Sequence, residues 1–203
     1  VATTAAIALF SQTLVNLLAA GLSPGLVASD RILVATPDDF PDYANPNTPA
    51  ISVFLYRVAL HPEQRNLPWR QRADGSRIRP SLPLELGFLI TAWAKNTNDE
   101  HLIIGHILQT LYDRAEIGSA DLLNPPAPQA PAWEHGDSVQ LILDSMPMED
   151  HLRLWDSVDM PYRLSLTYLA RVIGIEPGES QVIAPVIDAD FRPGRWQTAE
   201  IGS

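Results

Sequence analysis

Residues 82–118, LPLELGFLITAWAKNTNDEHLIIGHILQTLYDRAEIG, decide the fold. Across 84–93 the apolar residues repeat at every second position. Leu84, Leu86, Phe88, Ile90 and Ala92 share one side of an extended ribbon, and Glu85, Gly87, Leu89, Thr91 and Trp93 share the other. The first side reads as core and the second as mixed. Asn96, Thr97 and Asn98 then form a turn, and Asp99 and Glu100 place negative charge where a first helical turn favours it. Ile104, Ile107, Leu108, Leu111 and Ala115 recur at helical spacing, with Gly118 as the expected stop. The unit is a strand whose apolar face is covered by the helix that follows it.

Toward the N-terminus, Ile7, Phe10, Leu14, Leu17 and Leu18 form one stripe of a helix from about residue 4 to Gly21, which docks on the sheet. This run lacks a positive n-region, and Ser11, Gln12, Thr13 and Asn16 interrupt it, so it reads as neither signal peptide nor membrane span. The LSPG after it lacks the lysine and glycine spacing of a phosphate loop. Residues 31–35, RILVA, read as a short strand. Four prolines make 37–49 an irregular loop. Residues 51–60, ISVFLYRVAL, are apolar on both faces, as in the middle of a covered sheet.

Residues 61–80 hold too many proline, glycine and charged residues for a core strand and form a long excursion, with a hairpin expected at Asp74-Gly75. Over 57–80 there are six arginines (Arg57, Arg65, Arg70, Arg72, Arg77, Arg79) against Glu63 and Asp74, a balance of +4 in a chain of net charge −10. Two readings stand. One is a solvated loop balanced by acidic neighbours; the other is an electrostatic contact for an acidic protein surface, with Trp69 as its apolar anchor. One aromatic without an interleaved stacking pattern gives thin support for nucleic acid.

Beyond the central unit, 124–136 (NPPAPQAPAWEHG) is a Pro-rich linker within the domain that is neither helix nor central strand. Residues 138–143 read as a short strand, and Ser145, Met146 and Pro147 open a helix lined by Leu152, Trp155 and Val158. Residues 162–173 alternate as a long strand, with Leu164, Leu166, Tyr168, Ala170 and Val172 on one face and Arg163, Ser165, Thr167 and Arg171 on the other. Residues 175–203 carry Pro177, Gly178, Pro185, Pro193 and Gly194 and one apolar run, 182–187, and read as an extended arm. The expected architecture is a single α/β (α+β) domain over 1–174, a mixed sheet packed by about three helices, with the arm at 175–203.

With 203 residues, 46% hydrophobic and 19% charged, the composition is that of an ordinary globular domain. The net negative charge opposes nucleic acid and anionic membrane as partners. The absence of cysteine excludes disulfides, thiolate metal sites and a cysteine nucleophile. His61, His101, His106, His135 and His151 form no ligand pair, since five positions between His101 and His106 do not share a helical face. Asp38-Asp39 and Glu149-Asp150 are adjacent and suit loop and helix-start roles rather than a catalytic dyad. No G-x-S-x-G, G-x-G-x-x-G or P-loop is present. No catalytic residue, cofactor or metal site is assigned.

Several stretches resemble one known family: IALFSQTLVNLL, SVFLYRVALHPEQRN, RPSLPLELGFLITAW, EHLIIGHILQTLYD and MEDHLRLWDSVDMPYRLSLTYLARVI, in matching order and spacing across nearly the whole chain. The family is the N-terminal domain of the cap, or tail-terminator, proteins of extracellular contractile injection systems of the antifeeding-prophage and Photorhabdus virulence cassette type. The resemblance implies a phage tail-terminator-like fold and a structural role. Six copies would form a ring on the distal end of an inner tube and its sheath, end their polymerisation and hold them together. It further implies assembly in the cytoplasm, release as part of a phage tail-like particle, and inner-tube and sheath proteins as partners.

On this reading Arg65, Trp69, Arg70, Arg72, Arg77 and Arg79 meet an acidic rim. Phe191 and Trp196 belong to an arm that adds a strand to a neighbouring subunit; Trp196 folded back on its own domain is the other reading. The chain departs from the family pattern at Gly87, where a bulkier polar or aromatic residue is usual, and in its short tail, which leaves open the additional C-terminal module of longer members. Two competing readings are a small-molecule-binding domain or enzyme with a site between the sheet and the Pro-rich linker, and the terminator of an ordinary phage tail.

Overall fold

The computed structural model describes residues 2–23, 25–43, 48–64, 68–71 and 77–177. In chain order the elements are α1 (Ala6–Gly21), β1 (Ile32–Val34), α2 (Phe40–Tyr43), β2 (Ala50–Leu60), β3 (Arg70–Gln71), β4 (Arg77–Ile78) and β5 (Leu82–Trp93). There follow α3 (Thr97–Asp113), β6 (Glu116–Gly118), β7 (Ser138–Leu143), α4 (Met148–Ser157) and β8 (Ser165–Ile175). Six strands form one mixed sheet in the order β1-β2-β5-β8-β7-β6, and β3 and β4 pair separately. Only β1 and β2 run parallel. The result is a single mixed α/β domain with, among the described residues, three long helices and one short one.

Flanked by β2 and β8, β5 is buried at every position after Leu82. Its Phe88 and Ile90 face α1 and α3, which contribute Phe10, Leu14, Leu18, Ile103, Ile107 and Leu111 to one core. Phe10 packs on Phe88 with ring centroids 5.9 Å apart. Each such side chain, fully buried, stabilises the fold by about 1.5–3 kcal/mol. Asn96 starts α3 by accepting a hydrogen bond from Asp99 N–H (2.9 Å).

The second face of β5, expected to be mixed, is also covered. Leu89 and Trp93 join Phe40 and Tyr43 from α2 and Trp155 from α4 in a second apolar cluster. Phe40 and Tyr43 each stand 5.6 Å from the Trp93 ring. Residues 37–49 are therefore not wholly irregular. Pro37–Asp39 form a 3-10 turn leading into α2, because proline is tolerated in a first turn, where its missing N–H has no intrahelical acceptor. Thr36 closes that turn by donating from its N–H (2.7 Å) and its hydroxyl (2.8 Å) to Asp39. These bonds hold the Asp39 carboxyl below its usual range.

Three further expectations shift. First, α3 ends at Asp113 rather than Gly118, because Leu141 N–H donates to Ala115 O (2.7 Å) and Glu116–Gly118 pair with β7. Second, α4 turns Trp155 and Val158 inward as read, but His151 rather than Leu152 is the buried residue one turn earlier, and Leu152 is exposed. Third, β8 begins at Ser165, and its alternation breaks between Ala170 and Ile173, so that Ile173 and Ile175 continue the core.

The Pro-rich segment 124–136 is neither helix nor strand, yet it is not a free linker. Its Ala132 and Trp133 are buried on the α1 side. Trp133 Nε1–H donates to Leu123 O (2.9 Å), Ala132 N–H to Asn124 Oδ1 (2.8 Å), and Leu123 N–H to the Thr13 hydroxyl of α1 (3.1 Å).

Candidate interface: a carboxylate between two arginines

Among the described residues Glu85 is the one buried carboxylate. It stands near the start of the central strand, and both neighbouring strands bulge beside it. The register of β2 with β5 shifts between Leu55 and Arg57, and that of β8 shifts where Leu84 and Leu86 oppose Ile173 and Ala170. A bulge adds one residue, bends the strand and re-aims its side chains. Here both bulges deliver an arginine to the same acid. Arg57 Nη2 lies 2.9 Å from Glu85 Oε1, and Arg171 Nε lies 2.8 Å from Oε2.

The side-chain exposures are 46% for Arg57, 37% for Arg171 and 8% for Glu85. Two cations on one anion leave a local charge of +1. Each guanidinium carries five N–H donors, so this partly exposed pair retains capacity for a second acidic partner. Tyr56, in the β2 bulge, lies over Gly87: a Cβ at position 87 would fall 2.9 Å from Tyr56 Cζ. The ring occupies the space that a bulkier residue 87 would take. Burial pushes the Tyr56 hydroxyl pKa up, against the pull of Arg57.

The arginine-rich excursion springs from this end of the sheet, leaving after Leu60 and returning at Leu82. His61 N–H donates to Pro83 O (2.9 Å) and ties its two roots together. Within it β3 and β4 pair as a hairpin, Arg70 opposite Ile78 and Gln71 opposite Arg77. The turn expected at Asp74-Gly75 lies outside the described residues. Trp69 and Arg79 are exposed. Arg65, Arg72, Phe191 and Trp196 lie outside the described residues, as does the expected arm beyond Pro177.

The paired strands set Arg70 and Arg77 on neighbouring backbones. The Glu85 cluster escaped sequence reasoning. Glu85 sat on a face read as mixed, Arg171 on the face of its strand opposite Leu164, Leu166 and Tyr168, and Arg57 among the loop arginines. The available signal was a lone acid inside a strand core, which demands cationic partners.

His61 and His151 are buried, while His101 and His135 are exposed. Among the described residues no three of His, Cys, Asp or Glu come together as a metal site, and no helix is long and apolar enough to cross a membrane.

The family model of the Pvc16 N-terminal domain matches residues 10–189. No curated protein matches the chain in sequence. In structure the chain is similar to the PVC sheath/tube terminator of an extracellular contractile injection system in its extended state. The TM-score is 0.62 at 17% identity, covering 100% of this chain and 67% of that one. It is also similar to the tube-terminating cap of the anti-feeding prophage, with a TM-score of 0.56 at 17% identity over 91% of this chain and 60% of that one. The chain thus spans about two thirds of the length of these solved proteins, and the likeness is one of fold.

Proposed function

The chain belongs to the Pvc16 N-terminal domain family, and on that premise we propose that it is a structural cap of a contractile injection system. Copies of it close into a six-membered ring on the distal end of the inner tube and its sheath, end their growth and hold the two together. The observation that carries this reading is the family match over 10–189, joined to a fold shared along the whole chain with a sheath/tube terminator. A closed ring needs heterologous contacts, one surface of each copy meeting a different surface of the next.

The Arg-rich excursion supplies one charged contact surface, in a chain whose net charge is −10. Arg57 and Arg171, fixed on Glu85, give it a rigid root. Its partners in this reading are the tube and sheath proteins and neighbouring copies of itself. The chain assembles in the cytoplasm and leaves as part of the particle.

Electron microscopy of particles assembled with and without the chain tests the role. We expect defined tube lengths and six-fold density at the distal end when it is present, and irregular, uncapped tubes when it is absent. Indistinguishable particles would remove the terminator role.

A further inference from the structure

The domain carries opposite charge at two ends of its central strand. At one end Arg57 and Arg171 share Glu85, with side-chain exposures of 46% and 37%. One arginine neutralises a buried acid, and the second makes the group a cation. Each guanidinium uses one nitrogen on Glu85 and keeps donors for an acceptor from outside. Glu85 also holds both side chains in place, so binding does not have to order them. Asp144, the other acid that acts on the neighbouring Tyr56, is paired with neither arginine among the described residues.

At the other end stands an acidic knob. Over residues 30–42 the aspartates Asp30, Asp38, Asp39 and Asp42 stand against Arg31 alone, a balance of −3, and all four acids are exposed. The knob is fixed to the sheet through Phe40 and Tyr43 of α2, which pack on Trp93. Its single cation is engaged within it, with the Arg31 guanidinium 5.8 Å from the centroid of the Tyr43 ring. Burial pushes the Tyr43 hydroxyl pKa up, with Asp39 and Asp42 adding to the rise and Arg31 opposing it.

Within one copy the two do not meet. No ion pair joins them among the described residues, and from Glu85 to Trp93 the strand β5 runs roughly 26 Å. We propose that they meet between copies, the Asp38–Asp42 knob of one copy seating its carboxylates on Arg57 and Arg171 of the next. A basic site and an acidic site at different ends of one chain make a heterologous contact, the kind that closes a ring. The contact rests on the ring reading of this chain and names the two surfaces that the ring needs. Complementary charge sets the choice and register of partners, and it weakens with salt.

The absence of cysteine makes the test clean. Two full-length variants are mixed and treated with a short bismaleimide: Ala59→Cys, opposite Glu85 in register, and Pro41→Cys, exposed between Asp39 and Asp42. Denaturing gels and mass spectrometry locate the crosslinks, and sedimentation velocity gives the size of the untreated species. We expect crosslinks between the two variants and few when either is treated alone. Asp38→Lys with Asp42→Lys in the second variant, or Arg57→Ala in the first, is expected to lower the yield at least about fivefold, with the near-UV circular dichroism unchanged. Raised salt is expected to act in the same direction. Oligomers that crosslink only like with like, or not at all, overturn this contact and leave the ring standing. A chain that stays monomeric and uncrosslinked overturns the contact, and microscopy of the particles then decides the ring. A yield indifferent to both charge variants overturns the proposal as well, because the two surfaces would then meet without their charges.

Discussion

Trp93 Nε1–H donates a 2.9 Å hydrogen bond to Ser52 Oγ between neighbouring strands β5 and β2, with both residues fully buried. The bond lets an indole sit at the centre of an aromatic cluster without an orphaned donor. Ser52→Ala removes the acceptor and leaves the N–H in apolar surroundings, at a cost of about 1–3 kcal/mol. For a domain of this size each kcal/mol lowers the thermal midpoint by roughly 2–4 °C. Ser52→Thr, which keeps the hydroxyl, is expected to lose less. Equal midpoints for Ser52→Ala and the parent would show that the bond contributes nothing.

The two arginines on Glu85 predict a non-additive double mutant. Arg57 is nearly half exposed, so Arg57→Ala alone is expected to cost no more than about 1 kcal/mol while Arg171 still holds the acid. Removing both leaves a buried, unpaired carboxylate, and the expected cost rises to about 3–5 kcal/mol. Urea denaturation of the two single variants and the double variant measures this. Strict additivity would mean that each arginine acts alone.

Gly21, at the end of α1, lies against Thr110 of α3. A Cβ there would fall 2.2 Å from Thr110 Cγ2 and 3.0 Å from its Cβ. Gly21→Ala must push the two helices apart, at a cost of about 1–3 kcal/mol. Thr110→Ala in the same chain is expected to recover part of that loss. A Gly21→Ala protein as stable as the parent would disprove the close approach.

His151 makes stability depend on pH. Burial lowers its pKa below the ordinary 6.5, and its Nε2 is enclosed without a hydrogen-bond partner among the described residues. The unfolded chain takes up the proton near pH 6.5 while the folded chain resists it. Between the two values the unfolded state binds more protons, so stability falls as the pH drops below about 6.5 and levels off below the folded value. His151→Phe is expected to flatten this segment when urea midpoints are compared at about pH 7.5 and pH 5.5. An identical slope in both proteins would clear His151 of the effect.

Charge reversal of the excursion separates attachment from folding. Arg70→Glu, Arg72→Glu and Arg77→Glu together are expected to weaken co-sedimentation with tube or sheath, most visibly at low salt, and to leave the unfolding midpoint of the isolated chain within about 1 kcal/mol of the parent. Intact attachment would move the contact surface elsewhere.

Much of the fold was legible because its signals are local. The alternation across 84–93 and the Asn96 cap with Asp99 and Glu100 behind it mark β5 and α3 without any knowledge of neighbours. The same holds for β2 and for the opening helix that docks through Phe10, Leu14 and Leu18. Misreadings fell where a distant partner overrode a local pattern. The last turn expected for α3 yielded to pairing with β7, prolines that signal a loop were recruited into the start of α2, and a bulge opposite Glu85 moved the inward stripe of β8 to Ile173.

By itself, then, the sequence determined the kinds of element, their order, the cysteine-free chemistry and the family resemblance, all of which depend on residues close together along the chain or on composition. Only the tertiary structure decided that β5 is covered on both faces, that Trp93 and Ser52 share a bond, and that Arg57 and Arg171 converge on Glu85. Arg57 and Glu85 are 28 residues apart. Their meeting depends on strand register, and register is a property of the assembled sheet: a shift of one residue turns each side chain to the opposite face.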